Sequence, residues 1–340
     1  METASYSGEG APAIAKVAVA SRAFLAPMSG VTDVVMRRIA ARYGAGLVVS
    51  EMVASDEFVR GSEEARLRAE GTGVFPHVVQ LAGCDPHWLG EAARLAEATG
   101  AQIVDINMGC PAKRVTGGWA GSALMRDLDH ALTLVEAAVA AVDVPVTVKM
   151  RLGWDDASRN APELARRAVD AGAAMITVHG RTRQQFYKGS ADWVAIRAVR
   201  DAGNFPLVAN GDIHTLEDAQ ACLAHSGADL VMVGRAALGR PWLVGAIGAA
   251  LDGRDEIELG ADEKLAVAQE HYEGLLSLMG REQGVRHARK HLAAYADEAV
   301  ASGCEPDAAV RRLLLTTDDP GQALNALASL FSNESSREAA

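Results

Sequence analysis

Short apolar segments of strand-like composition recur along residues 24–234, each separated from the next by a helical stretch. They are Phe24–Met28, Leu47–Ser50, His77–Leu81, Ile103–Asn107, Val146–Lys149, Met175–His179, Leu207–Asn210 and Leu230–Gly234. Each is rich in Val, Ile or Leu, the pattern of a strand covered on both faces and hence of a parallel sheet. Between them, Asp33–Tyr43 follows Thr32 as a cap and stops at Gly44, Leu89–Ala98 stops at Gly100, and Pro162–Ala171 stops at Gly172. Eight such β/α units predict a closed (β/α)₈ TIM barrel rather than a doubly wound sheet.

The pattern changes after Pro241. Four helical segments follow without strands, about Asp262–Met279, Gln283–Ser302, Pro306–Leu315 and Pro320–Phe331. Pro306 and Pro320 stand where a first helical turn tolerates proline. The expected organisation is a flexible segment 1–17, a barrel catalytic domain 18–250, an all-helical domain 251–331 and a flexible tail 332–340. No signal peptide or membrane-spanning run is visible, so a cytoplasmic protein is expected, with no membrane association and no obligate protein partner. The cysteines Cys84, Cys110, Cys222 and Cys304 form no CxxC pair, and neither a metal site nor a disulfide framework is expected. A net charge of −11 speaks against nucleic acid as a partner unless the cations are clustered.

In a TIM barrel the C-terminal strand ends and the loops after them build the active site. Here those ends read Pro27-Met28, Glu51, Gln80, Asn107, Lys149 with Arg151, His179, Asn210 and Gly234-Arg235. Strand capping explains one or two polar residues there; a full ring of them points to a ligand. Asn210-Gly211-Asp212 and Gly234-Arg235 follow the last two strands, where barrels commonly hold a phosphate on backbone amides. Lys149 is open to three readings: a Schiff-base amine, a cation at the N1–C2 edge of a flavin, or a salt-bridge partner. Cys110 sits between Gly109 and Pro111, with Lys113 and Arg114 just after, where a thiol can act as nucleophile or proton donor.

Several of these stretches together resemble the tRNA-dihydrouridine synthases, and within them the bacterial B-type branch. They are Leu25–Asp33, Ser50-Glu51-Met52, Asp105–Lys113, Ala120–Leu124, Lys149-Met150-Arg151, Val178–Arg183, Asn210-Gly211-Asp212 and Gly234-Arg235-Ala236. The Asn107-Met108-Gly109-Cys110-Pro111 block followed by His179-Gly180-Arg181-Thr182-Arg183 is the specific part; the others are shared with flavin barrels in general. The resemblance implies FMN as prosthetic group, NADPH as co-substrate and tRNA as substrate. By position, Pro27, Met28 and Ser29 face the flavin through backbone, and Gln80, Lys149 and His179 bond or polarise it. Asn210, Gly211, Asp212, Gly234 and Arg235 hold its phosphate, and Cys110 is the general acid. Contacts to tRNA are expected from Asn107, Lys113, Arg114, Arg151, Arg181 and Arg183. Further contacts are expected from Arg286, Arg289 and Lys290, at i, i+3 and i+4 of one helix with His287 and His291 beside them. Gly117-Gly118 stands where some relatives are more basic.

Overall fold

Side-chain alternation along eight parallel strands sets both the core and the site. The strands are β1 (Ala23–Leu25), β2 (Leu47–Ala54), β3 (His77–Ala82), β4 (Ile103–Met108), β5 (Val146–Arg151), β6 (Met175–His179), β7 (Leu207–Asn210) and β8 (Leu230–Val233). They pair in chain order and β8 closes onto β1, so the barrel leaves no open edge. The (β/α)₈ barrel expected from the sequence is the observed architecture. The computed structural model describes residues 13–255, 257–304 and 307–335, without the side chains of Arg114 and residues 332–335.

Successive residues of a strand point to opposite faces. Phe24, Leu47, Val49, Val78, Ile103, Met175, Val208, Leu230 and Met232 form one buried cluster, and the alternate positions, such as Leu25, Val48, Val79 and Val104, pack with the surrounding helices in a second. The first set turns polar toward the C-terminal end. Val78 is followed two residues on by Gln80, Ile103 by Asp105 and Asn107, Met175 by Thr177 and His179, and Val208 by Asn210. β2 runs through Glu51 to Ala54, past the Ser50 end expected, and its register slips between Val49 and Met52. At this bulge the Ser50 hydroxyl accepts the Gln80 amide at 2.9 Å.

The first barrel helix, Val34–Arg42, is capped by Asp33 rather than by Thr32: Asp33 Oδ1 accepts the amides of Val35 and Met36 at 2.9 and 3.0 Å. Thr32 instead accepts the Met28 amide, at 2.9 Å, and fixes the turn after β1. Helix Leu243–Leu251 completes the barrel, packing on β1. Helices Ala261–Met279, Arg281–Ala301, Ala308–Thr316 and Pro320–Ser335 then form the C-terminal helical region. Pro306 lies outside the described residues, and Asp307 caps the third of these helices. The last continues to Ser335, beyond the Phe331 end expected. Ala13–Ile14 and Val17–Ala18 form a short antiparallel hairpin within the segment expected to be flexible, and Ile14 is fully buried in the inner cluster. Residues 1–12 and 336–340 lie outside the described residues.

The helical region sits on the barrel through the Val34–Arg42 helix. Arg42 forks onto Glu270 at 2.9 and 2.6 Å. A Cβ on Gly274 would stand 2.6 Å from Val35 Cγ1, so glycine sets the closest approach there. Among the described residues no helix is long and apolar enough to cross a membrane.

Gly245 is packed more tightly still: a Cβ there would lie 1.7 Å from the Tyr43 carbonyl oxygen. Gly245→Ala therefore forces helix Leu243–Leu251 off the barrel and is expected to cost about 1–3 kcal/mol, read as a melting temperature lower by several degrees. Gly260→Ala, whose Cβ would meet nothing within 4 Å, is the matched control and should shift stability by less than about 1 kcal/mol. Equal melting temperatures for the two variants would refute this account of the packing.

Candidate active site

A cleft of ≈ 620 Å³ opens at the C-terminal end of the barrel. Its lining gathers Pro27, Met28, Ser29, Gln80, Asn107, Cys110, Lys149, Arg151, His179, Asn210, Gly211, Asp212, Gly234 and Arg235 from strands and loops far apart in the chain. Strand register explains the gathering. Gln80 is paired with Asp105, Asp105 with Thr147, Asn107 with Lys149, Arg151 with His179, and His179 with Asn210.

The floor is a buried polar layer. The Asp105 carboxylate accepts Thr147 Oγ1 at 2.6 Å and Gln80 Nε2 at 2.7 Å. Burial pushes its pKa up to about 6, against the lowering effect of those two bonds and of Lys149. Gln80 Oε1 in turn accepts Asn107 Nδ2 at 2.8 Å. Asn107 Oδ1 accepts the amides of Gly109 and Cys110 at 3.2 and 2.9 Å. Asn107 was expected to touch tRNA; its amide is instead consumed in shaping the Cys110 loop. Gln80 is fully buried, and both ends of its amide are engaged within this layer.

Above the layer stand the ionisable groups. Lys149 Nζ donates to Asn210 Oδ1 at 3.0 Å, and Asn210 Nδ2 donates to the Met232 carbonyl at 2.7 Å. Burial and the neighbouring Arg151 bring the Lys149 pKa down to about 8. Among the described residues no carboxylate is bonded to its ammonium, which speaks against the salt-bridge reading. His179 is held well below its ordinary pKa by burial and by the cations Lys149, Arg151, Arg181 and Arg235, so it is neutral. Arg181 Nη1 lies 3.3 Å from His179 Nε2. Because arginine can only donate, Nε2 is the acceptor and the imidazole proton belongs on Nδ1.

Arg181 was expected as a cation at the barrel mouth, and the structure corrects this. Its side chain is 2% exposed and forks onto Asp212 at 3.0 and 2.5 Å. It also donates to the carbonyls of Lys188 and Gly189. A guanidinium this deep is retained only with a full set of acceptors. The Asp212 carboxylate is thereby spent as an anchor, since it also accepts the Ala191 amide at 2.8 Å. Burial raises the Asp212 pKa, but Arg181 and that amide outweigh it and hold the carboxyl below its usual range. Gly211 stands at φ 119°, where a Cβ would be 2.7 Å from His179 Cδ2, so no other residue fits. Trp193 Nε1 donates to its carbonyl at 2.8 Å. Arg235 remains exposed, 3.6 Å from Asp212.

Arg151 also turns inward. It is 1% exposed and donates to the carbonyls of Gly109, Thr182 and Phe186 at 2.8–2.9 Å. It therefore ties the Cys110 loop to the loop after β6, and burial lowers its pKa to about 10. Tyr187, at the mouth and 54% exposed, lies under the guanidinium groups of Arg151 and Arg235. The sequence reading missed it, although the aromatic pair Phe186-Tyr187, close after Arg181 and Arg183 and before Lys188 in a rim loop, is a usable signal. Arg183 packs on Trp154 and Phe186 at 4.6 and 4.7 Å. Lys113 is exposed beside the Cys110 loop, and the side chain of Arg114 lies outside the described residues. On helix Arg281–Ala301, Arg286 is exposed but paired with Glu282, and Arg289 bonds Asp318 at 2.8 Å. Lys290 donates to the Gly30 carbonyl at 2.6 Å. These three cations do not form a free positive stripe; the acidic helices around them neutralise part of it.

A family model described as Dihydrouridine synthase (Dus) matches residues 24–335. A probable tRNA-dihydrouridine synthase of Rhizobium leguminosarum bv. phaseoli is 57% identical over 280 residues, 82% of this chain and 86% of the relative. One of Rhodobacter capsulatus is 52% identical over 319 residues, covering 93% and 95%. The tRNA-dihydrouridine synthase B of Xanthomonas axonopodis pv. citri is 45% identical over 319 residues, covering 90% and 94%. Among solved structures, a 2-naphthoyl-CoA reductase shares the fold, with a TM-score of 0.54 at 14% identity over 69% of this chain and 50% of that one.

The Asn107 clasp yields a direct test. Asn107→Ala removes the acceptor for both the Gly109 and the Cys110 amides, at about 1 kcal/mol per bond. Hydrogen exchange at those two amides should quicken about tenfold or more, and Cys110 alkylation by iodoacetamide should speed up, while the barrel amides stay protected. Unchanged exchange at both amides would show that the loop holds itself.

Proposed function

The chain belongs to the dihydrouridine synthase family, and on that premise we propose that it reduces the C5–C6 double bond of specific uridines in tRNA, with FMN as prosthetic group and NADPH as reductant. The observation that carries the reading is the meeting in one cleft of the clasped Cys110, the ammonium of Lys149 held by Asn210, and the two glycine loops after β7 and β8. The relatives named synthase B favour the B-type branch.

The residues present fit a flavin. A Cβ on Gly234 would meet only Ala26 Cβ and Met28 Sδ, at 3.9 and 4.0 Å, so its bare backbone opens onto the cleft. Pro27, Met28 and Ser29 would present backbone to the ring, and Lys149 and His179 would stand at its polar edge, with Gln80 beneath them in the buried layer. The backbones of Gly211, Asp212 and Gly234 and the Arg235 side chain would hold the phosphate, while Asn210 aims Lys149. When bound, FMN reduced by NADPH supplies the hydride that uracil takes at C6.

The rest falls to this chain's own groups. Hydride addition at C6 leaves negative charge shared between C5 and the C4 oxygen. Cys110 gives its thiol proton to C5: one S–H bond breaks, one C–H bond forms, and the thiolate regains a proton from solvent. Asn107 and Arg151 keep the loop that carries the thiol in place. Because the reactive groups lie inside the barrel mouth, the target base must leave its stack to reach them. Lys113, Arg183 and Lys188 around the mouth are the cations proposed to meet the phosphates; Arg286, Arg289 and Lys290 on the helical region would join them only by exchanging Glu282, Asp318 and the Gly30 carbonyl for phosphate. Clustering at the mouth lets a chain of net charge −11 bind RNA. The cytoplasm, where tRNA matures, is the compartment this reading implies.

Cys110→Ala tests the reading. The variant should keep its fold, bind FMN and still be reduced by NADPH. Single-turnover oxidation of its reduced flavin by unmodified tRNA should slow by about 10²–10⁴, with dihydrouridine mapped in the product. Turnover of free uridine at the rate of tRNA would overturn the substrate assignment, and a variant within about threefold of wild type would remove Cys110 from the mechanism.

Lys149 makes the site pH-sensitive. Its folded-state pKa of about 8 lies below its ordinary value, so the ammonium is present below that pH and lost above it. If the charge holds FMN, the dissociation constant of wild type should rise by up to about tenfold per pH unit above pH 8. Lys149→Met should bind about 10–100-fold more weakly at pH 7, a lost charge-assisted bond of about 1.5–3 kcal/mol, with a flat profile. Flavin fluorescence quenching between pH 7 and 9.5 reads both, and a flat wild-type profile would assign Lys149 a structural role.

A further inference from the structure

Where the helical region meets the barrel, three imidazoles converge on one carboxylate. Asp33 Oδ1 is consumed by the helix cap it makes. Its other oxygen, Oδ2, lies 3.3 Å from His271 Nε2, 3.6 Å from His291 Nε2 and 3.9 Å from His287 Nε2. Asp33, His271 and His291 are buried, with side chains 1–2% exposed, and His287 is 17% exposed. His271 is accounted for: its Nδ1 meets Tyr295 Oη at 3.0 Å and its Nε2 meets Asp33. The other two are not. Among the described residues, His291 Nδ1, His291 Nε2 and His287 Nε2 are buried without a hydrogen-bond partner. An unpartnered polar atom in such a place costs about 1–3 kcal/mol, so this junction lacks a component.

From this geometry we propose that Asp33, His287 and His291 bind a divalent first-row transition metal, Zn²⁺ by preference, at the joint between barrel and helical region. One oxygen of Asp33 and one nitrogen of each histidine lie within 4.8 Å of one another. Donors at about 2.0–2.2 Å from a tetrahedral zinc are about 3.3–3.5 Å apart. The two contacts to Asp33, 3.6 and 3.9 Å, therefore need to contract by only a few tenths of an ångström. His287 and His291 are one helical turn apart, the i, i+4 spacing that turns two imidazoles to the same face. Neutral imidazoles with a carboxylate suit zinc and its neighbours, whereas calcium and magnesium call for oxygen donors.

His271, bonded to Asp33 Oδ2, is placed to orient the carboxylate from outside the ligand set. Lys290 is the opposing cation nearby, and Asp33 and Glu51 answer its charge. The position gives the metal a purpose. Asp33 directly follows Thr32, whose hydroxyl closes the turn begun by Met28 and Ser29 on the cleft wall, and Lys290 reaches the Gly30 carbonyl in that turn. A metal there would lock the orientation of the helical region against the cleft.

The test uses flavin-loaded full-length protein, expressed with added zinc and purified without chelator or affinity histidines. Metal per chain is measured by mass spectrometry and flavin per chain by absorbance. Wild type should hold about one zinc. His287→Gln, chosen because His287 is the least buried ligand, and Asp33→Asn, which still caps the helix, should fall below about 0.1 zinc with unchanged flavin and circular dichroism. After dialysis against EDTA, Zn²⁺ should raise the melting temperature of wild type and leave both variants unmoved. Absence of bound metal in wild type, together with no melting shift on adding Zn²⁺, Co²⁺ or Fe²⁺, would overturn the proposal and leave a buried water as the missing partner. Equal metal content in wild type and variants would overturn it too, because the ion would then sit elsewhere.

Discussion

A carboxylate sealed inside the barrel organises the upper half of this molecule. Asp105 has no solvent to turn to, so Thr147 and Gln80 must satisfy it, and both do so at short distance. That commits Gln80, whose remaining oxygen commits Asn107, whose remaining oxygen clasps the Cys110 loop. The chain of bonds runs from the barrel interior to the candidate proton donor without a break. The links from Thr147 to Asn107 are buried, where a hydrogen bond is strong and an unmade one is costly, and only the last, to the Cys110 loop, is part-buried. The bulge in β2 belongs to the same device, because it brings the Ser50 hydroxyl to the Gln80 amide.

A second layer is built from arginines that face inward. Arg151 collects carbonyls from the loops after β4 and β6, and Arg181 collects Asp212 and two carbonyls of its own loop. Both guanidinium groups are almost wholly removed from water. Their charge still acts at short range: after burial, Lys149 and these arginines keep His179 neutral, and Arg151 helps burial to depress Lys149 itself. The cleft therefore carries a positive field to which the buried Arg181, outside its lining, also contributes. Such a field suits an anionic cofactor and a reaction that builds negative charge on a ring.

Beside the Arg42–Glu270 and Arg240–Glu298 pairs, the helical region meets this construction at the turn after β1. The turn after β1 supplies Met28 and Ser29 to the cleft, Gly30 to Lys290 and Asp33 to the histidine cluster. Whatever fixes Asp33 fixes the cleft wall and the neighbouring domain together, which makes this short segment the mechanical link between them.

Much of this was legible in the chain itself. Eight apolar segments alternating with helical stretches, three of them ending at glycine, pointed to the barrel, because strands apolar on both faces suit a parallel sheet covered on both sides. Polar residues at nearly every strand end marked the rim, and the strand register brings Gln80, Asn107, Lys149, His179 and Asn210 to one cleft. What the sequence could not decide was direction and partnership. Arg151, Arg181 and Asn107 look like ligand-binding groups in a string of letters, yet each is spent on carbonyls, carboxylates or amides brought near by loop folding. Arg286 and Arg289 look like a basic stripe until Glu282 and Asp318 stand beside them. His287 and His291 carry a helical spacing that could have been noticed, but Asp33 lies at the other end of the chain. Charge and residue type are local properties; who neutralises a charge is settled only when distant segments pack.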